Sequence, residues 1–282
     1  MKTIAENCRP PIGVLTRNRH TTLDVTLRSL SATDLSKKQQ LAVFDDGSTD
    51  RTTLAYLYSN ETVRLFRKWN FGPQQAAVGL SDIASRKRGK GLRGTILVRS
   101  LGNARQGVVV ATCSMIRQME SLWPSVKETG LILLQDDVVF LKDWLQRLLY
   151  AAKTPKRNKP ASLVCGVWLN YTVKNPRNPL LISARGVTAQ CYYVTPLGLQ
   201  TARSFINRAH VKRAGFDNGF CSTIRKNGGH VYLANPPVCQ HIGLESAIRP
   251  RMRWHWASRK GRVGYDGIGP YPLATIPRKF CA

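Results

Sequence analysis

The stretch Leu131-Ile132-Leu133-Leu134-Gln135-Asp136-Asp137-Val138-Val139-Phe140 decides how this chain reads. Its apolar run predicts a buried strand over Leu131–Leu134, with two adjacent carboxylates at its end. Burying two carboxylates is costly unless a cation compensates them. Hard divalent cations such as Mg²⁺ or Mn²⁺ take oxygen ligands and often bridge to the phosphates of a substrate. A second acidic strand end lies upstream, Leu41-Ala42-Val43-Phe44-Asp45-Asp46-Gly47-Ser48-Thr49-Asp50. Two such ends in one chain predict a nucleotide-plus-metal site.

Outward from these two stretches the chain alternates. Ile12 to Thr16 predicts a first strand, and the apolar spacing of Leu23, Leu27 and Leu30 predicts a helix from Thr22 to Leu30, capped by Thr21 or Thr22. A helix is expected to start at Thr52, a strand to run from Thr95 to Val98, and a helix from Gly107 to Met119. Past the acidic pair the pattern predicts a helix over Asp143–Leu149 and strands over Ser162–Leu169 and Ala189–Val194. A helix over Leu197–Phe205 and a strand over His230–Ala234 follow. Alternation of this kind implies an α/β fold, with a mostly parallel central sheet and helices on both faces. Ligands of such sheets sit at the carboxyl ends of the strands. Thr16, Asp45, Asp46, Asp136 and Asp137 all fall there.

At 282 residues and 43% hydrophobic content the chain can bury the core of one large domain. No apolar run reaches the ~20 residues of a membrane span. The first residues lack the apolar stretch of a signal peptide, so the expectation is a cytoplasmic protein without stable membrane insertion. The seven cysteines are scattered and form no Cys-x-x-Cys pair, which argues against a zinc site or a disulfide framework. Charge is the outlier: 43 Lys and Arg against 16 Asp and Glu give +27. A surface of that sign suits a polyanionic partner.

Taken in order, these motifs resemble a glycosyltransferase of the GT-A fold, a Rossmann-like fold, in the style of the family 2 enzymes. The resemblance rests on the turn Leu15-Thr16-Arg17-Asn18-Arg19, the run Asp45 to Asp50, and the turn Leu101-Gly102-Asn103-Ala104-Arg105-Gln106-Gly107. It rests further on Asp136-Asp137 and on Pro236-Pro237-Val238-Cys239-Gln240-His241-Ile242-Gly243. It covers residues 11–248, and it implies a donor half over 11–140 and an acceptor half over 141–248. Residues 249–282 are left as a basic, aromatic tail or lid. Whether 61–94 is an insertion or carries a displaced turn at Asn70-Phe71-Gly72 stays open.

The resemblance implies a UDP-sugar donor and a Mn²⁺ or Mg²⁺ cofactor. Thr16, Asn18, Asp45, Asp46, Arg105 and Asp136 would bind the donor, with Asp46 as the uracil partner. Asp137 would ligate the metal, and His241 would be a further ligand or a phosphate contact. Asp217, in the turn Ala214-Gly215-Phe216-Asp217, is the candidate base that takes the proton of an acceptor hydroxyl. The chain has Cys221-Ser222-Thr223 where the family often has a Glu-Asp pair, so inverting and retaining chemistry both stay open. Trp168 and Gln190 fall beside the site, as pocket or as core.

The tail Arg249-Pro250-Arg251-Met252-Arg253-Trp254-His255-Trp256 interleaves cations with indoles. Arg251, Arg253, Trp254 and Trp256 suit phosphate contacts and base stacking, or a lid over a diphosphate. The charge favours DNA as acceptor, with a sugar moved to a hydroxymethylated pyrimidine such as hydroxymethylcytosine, as some bacteriophages do. Two alternatives stay open. One is an envelope glycan or lipid transferase at the cytoplasmic membrane. The other is a non-catalytic nucleic-acid-binding protein on a GT-A scaffold. Oligomeric state is not legible.

Overall fold

A computed structural model of the protein describes residues 9–35, 39–57, 96–100, 107–153, 159–167, 180–182, 189–208, 215–234 and 237–242. The expectations for 61–94, Arg105, Trp168 and the tail with Arg251, Arg253, Trp254 and Trp256 lie outside the described residues.

Strand β1 (Ile12–Thr16) leads to α1 (His20–Ser31), β2 (Leu41–Asp45) to α2 (Arg51–Leu57), and β3 (Ile96–Ser100) to α3 (Val108–Leu122). The one-turn helix α4 (Val126–Thr129) precedes β4 (Leu131–Gln135), the short β5 (Val138–Phe140), α5 (Trp144–Lys153) and β6 (Ala161–Cys165). Then come β7 (Leu180–Ile182), β8 (Cys191–Val194), α6 (Pro196–Thr201), α7 (Arg203–Asn207), α8 (Phe216–Lys226), β9 (His230–Ala234) and β10 (Cys239–His241).

Among the described residues, eight strands form one sheet in the order β3-β2-β1-β4-β8-β6-β9-β7. The half built from β1 to β4 is parallel throughout. Beyond it β8 runs antiparallel to both β4 and β6, β9 is parallel to β6, and β7 is antiparallel to β9. Every residue of β1, β2 and β6 is buried. Since alternate side chains point to opposite faces, both faces of this sheet are covered. On β1, the Cα–H direction of Gly13 that a side chain would follow leads to the sulfurs of Met115 and Met119 of α3. The core continues through Trp144, Tyr192, Tyr232, Phe205 and Phe220, all fully enclosed.

The structure adds a strand at the stretch that decided the fold. The strand expected over Leu131–Leu134 is β4, and Val138–Phe140 forms a second strand, β5, that was not expected. β4 lies between β1 and β8 in the large sheet, whereas β5 leaves it after Asp136-Asp137 and pairs antiparallel with β10 in a separate two-stranded sheet. The free edge of β5 is closed by a helix. Val138 N–H donates to Thr26 Oγ1 at 3.0 Å, and Phe140 N–H donates to Ser29 Oγ at 2.8 Å. This explains why α1, whose apolar stripe is Leu23, Leu27 and Leu30, also buries Thr26 and Ser29. Buried backbone N–H groups must find acceptors, and two hydroxyls on the inner face of α1 supply them.

Two helix expectations are also corrected. α1 begins at His20, with Arg19 rather than Thr21 or Thr22 at the N-cap position and no side-chain cap. The Thr22 hydroxyl instead donates back to the Arg19 carbonyl at 3.1 Å. The single helix expected over Leu197–Phe205 is two short helices meeting at Ala202, whose φ of −90° and ψ of 0° end the helical repeat. The Thr195 hydroxyl caps the first of them by accepting from Gly198 N–H at 3.1 Å.

Thr26→Val keeps the shape of the side chain and removes the acceptor for Val138 N–H. Leaving that group unpaired is expected to cost about 1–3 kcal/mol in urea unfolding. Unchanged stability would mean that the Thr26 hydroxyl does not hold β5.

Candidate functional site

The strand order places the two acidic ends together. From β1 the chain steps outward to β2 and β3, then returns to set β4 on the other side of β1. The crevice at such a reversal, beyond the carboxyl ends of the strands, is where open α/β sheets bind ligands. Thr16 pairs with Asp45 across β1 and β2, and Leu15 pairs with Gln135 across β1 and β4. Asp136 therefore follows beside Thr16. The antiparallel β10 adds His241, which pairs with Val138 immediately after the acidic pair.

Asp136 and Asp137 are both buried, each residue only 3% exposed. Thr16 Oγ1 donates to Asp136 Oδ2 at 2.7 Å. A single guanidinium nitrogen, Arg19 Nη1, donates to Asp136 Oδ1 at 3.1 Å and to Asp137 Oδ2 at 2.7 Å. His241 Nε2 lies 3.0 Å from the same Asp137 Oδ2. The two aspartates thus titrate in opposite directions. Burial pushes the Asp136 carboxyl up; Arg19 opposes this and the Asp137 charge adds to it. Burial would also raise Asp137, but His241 and Arg19 together hold it well below the ordinary carboxylate range. Asp137 is the fixed anion of the pair. It also stands seven positions before Trp144, the first residue of α5, so it is no helix cap.

The β1–α1 and β2–α2 turns are braced to each other. Asn18, at φ +51°, accepts with Oδ1 from Thr49 N–H at 2.7 Å and from Asp50 N–H at 2.9 Å. Its amide donates to Thr49 Oγ1 at 3.1 Å, and its backbone N–H donates to Ser48 Oγ at 2.9 Å. Asparagine tolerates this left-handed conformation better than most residues. The Asp45 carboxylate is turned inward and accepts from the Ser48 backbone N–H and hydroxyl, with burial raising its pKa against those bonds. Asp46 is buried beside it, and its backbone N–H donates to the Thr16 carbonyl at 3.0 Å. Asn18 and Asp45 therefore build the walls of the crevice through contacts within the chain.

Among the described residues, Asp217 is linked to the acidic pair only through the backbone. Gln135 N–H donates to the Gln190 carbonyl at 3.0 Å, which holds Ala189-Gln190 beside the acidic pair. Asp217, in the first turn of α8, accepts from the Ala189 backbone N–H. Burial pushes its carboxyl up to about 6, against that bond. The Gln190 Oε1 is buried with no hydrogen-bond partner among the described residues.

Among the described residues no three His, Cys, Asp or Glu side chains are placed to enclose a metal by themselves. What the site offers fits an ion shared with a ligand. Asp137 Oδ1 is buried and has no hydrogen-bond partner among the described residues, and an imidazole nitrogen stands next to the same carboxylate. Carboxylate oxygen and imidazole nitrogen suit Mn²⁺, and Mg²⁺ is commonly held by one or two carboxylates plus substrate phosphates.

Sequence reasoning missed Arg19. It lies within a quoted motif, but a cation in a turn reads as surface. The signal was indirect: two adjacent buried carboxylates require a counter-charge, and the turn after the neighbouring strand carries one.

No protein-family model matches the chain, and no curated protein matches it. Solved structures do. The mannosyltransferase PcManGT from Pyrobaculum calidifontis, in complex with GDP-Man and Mn²⁺, aligns with a TM-score of 0.51 at 15% identity, over 86% of this chain and 59% of that one. Residues 1–349 of S. aureus TarS in complex with UDP-GlcNAc align with a TM-score of 0.48 at 13% identity, over 82% of this chain and 57% of that one. The chain thus spans under three-fifths of the length of either. The likeness to the mannosyltransferase shows the fold: this chain has the GT-A fold.

The raised value at Asp217 makes a stability prediction. Its folded-state pKa of about 6 lies above the unfolded carboxylate value near 4, so between those pH values the folded state binds more protons. The contribution of Asp217 to stability therefore declines as pH rises through that window. In urea unfolding, Asp217→Asn should gain on the wild type between about pH 4 and pH 7. A difference that stays constant with pH would contradict a buried carboxylate.

Proposed function

We propose that this protein is a metal-dependent glycosyltransferase that moves a sugar from a UDP-sugar to a hydroxyl acceptor. The observation that carries this reading is the Asp136-Asp137 pair, buried at the switch crevice of a GT-A sheet. The structural neighbour PcManGT is in complex with the nucleotide sugar GDP-Man and with Mn²⁺.

The residues divide the work as follows. Asp137 and His241 would hold Mn²⁺ or Mg²⁺, which when bound supplies positive charge for a diphosphate leaving group. Asp136, fixed by the Thr16 hydroxyl, would face the ribose, and Asp46 the uracil. Asn18 and Asp45 keep the two turns in place around the nucleotide. Asp217 would take the proton of the acceptor hydroxyl as its oxygen bonds to the sugar carbon and the bond from that carbon to the diphosphate breaks. A carboxylate with a pKa of about 6 is ionised at neutral pH and basic enough to accept a proton in the transition state. In this reading residues 11–140 bind the donor, residues 141–248 the acceptor, and Arg105 a base or phosphate of the donor.

The proposed acceptor is a 5-hydroxymethylpyrimidine base in DNA. A net charge of +27 supports it, because donor binding needs only a few cations. Arg251 and Arg253 would contact phosphates, and Trp254 and Trp256 would stack on bases. The hydroxymethyl group lies in the major groove and can be reached there or after flipping. Among the described residues no helix is long and apolar enough to cross a membrane.

The test is UDP release from a panel of UDP-sugars with Mn²⁺, with and without hydroxymethylcytosine-containing DNA, followed by mass spectrometry of the nucleosides. A sugar-sized gain on the modified base is the expected result. Turnover without a DNA product would contradict the acceptor and point to envelope glycans. Tight DNA binding with no turnover of any donor would favour a binding protein. Asp137→Asn is expected to abolish metal-dependent turnover, and full activity would mean that the ion binds elsewhere. For the wild type, kcat/KM should rise with pH through about 6. Asp217→Asn should remove that rise and cost about 10²–10⁴-fold in rate. A retained profile would exclude Asp217 as the base.

A further inference from the structure

We propose that Arg19 is a built-in counter-cation of the acidic pair, that Mn²⁺ displaces it, and that the freed guanidinium then pairs with the donor diphosphate. This rests on the reading of Asp137 as a metal ligand. It adds a residue, and an order of events, which that reading does not contain.

The geometry carries the first half. One nitrogen of Arg19 touches both carboxylates, at 3.1 Å and 2.7 Å, and so stands where a shared cation would stand. The Arg19 side chain is 20% exposed while the carboxylates are 4% and 5% exposed. The cation therefore sits at the mouth of the pair and has a way out, whereas the anions do not. Two carboxylates and one guanidinium leave a single negative charge. Adding a divalent ion beside the guanidinium would put three positive charges against two negative ones in a poorly screened site, so the two cations exclude each other. The contested atom is Asp137 Oδ2, which receives Arg19 and is approached by His241 Nε2 at 3.0 Å.

The backbone shows how the exchange can occur without a loop movement. The Arg19 carbonyl accepts from Leu23 N–H at 3.0 Å and from Thr22 Oγ1 at 3.1 Å, so the main chain at the start of α1 is fixed. His20 N–H is held by Thr53 Oγ1 at 3.3 Å. Only the side chain needs to swing. A guanidinium released at the rim meets a diphosphate whose oxygens match its paired donors.

The test is Mn²⁺ binding, by calorimetry and by the Mn²⁺ paramagnetic resonance signal, to the wild type, Arg19→Met and Asp137→Asn, each with and without UDP. Asp137→Asn should lose Mn²⁺ binding; if it does not, the metal-site reading itself fails. Given that loss, Arg19→Met should bind Mn²⁺ alone at least about tenfold more tightly than the wild type, because the competitor is gone. It should also bind UDP in saturating Mn²⁺ about tenfold more weakly or worse, because the phosphate partner is gone. Equal or weaker Mn²⁺ affinity overturns the displacement, and unchanged UDP affinity overturns the hand-over. If Arg19→Met folds only when Mn²⁺ is present, the ion has replaced the guanidinium and the proposal stands. If it fails to fold even in saturating Mn²⁺, Arg19 is a structural ion-pair residue and the proposal falls.

Discussion

Two negative charges in one buried turn are the constraint around which this structure is arranged. A buried carboxylate that loses its partner is strongly destabilising, so the pair Asp136-Asp137 dictates what surrounds it. Arg19 reaches both acids from the start of α1, Thr16 donates from the end of β1, and His241 approaches from β10. Each of these residues sits on a different element. Strand pairing, helix placement and the small β5–β10 sheet thus converge on a single charge balance. The pair also marks where the chain leaves the large sheet: β4 ends at Gln135 and β5 begins at Val138.

The supporting contacts are of two kinds. Some satisfy the backbone, as Thr26 and Ser29 do for the edge of β5. Others lock turns, as Asn18 does between the first two crevice loops and Asp45 does through Ser48. Neither kind needs a ligand. The result is a preorganised crevice in which Asp137 keeps its charge, while burial separately pushes the Asp217 carboxyl up to about 6.

Much of the fold was legible because β1, β2 and β4 are short apolar runs that end in polar or acidic residues. The strand His230–Ala234 was legible for a similar reason. The separate strand Val138-Val139-Phe140 was not, since it continues the apolar pattern of β4 and its partner strand is about a hundred residues away. The start of α1 was missed because Thr21 and Thr22 look like caps, whereas the helix entry is held by Arg19. Within the site, residue type announced the two acidic ends. It could not show that the Asp45 carboxylate accepts from Ser48 in its own turn, or that Arg19 is the counter-charge. Those facts depend on side-chain direction and on strand order, which periodicity does not encode.

The central claim is that Asp137 and His241 receive a divalent ion together with a nucleotide diphosphate in the switch crevice. Anomalous X-ray scattering at the manganese edge, from crystals grown with Mn²⁺ and UDP, tests it most directly. One strong peak is expected, coordinated by Asp137 and the diphosphate, with Arg19 moved off the carboxylates. A nucleotide bound without a peak at Asp137, with Arg19 still bridging both acids, would contradict it.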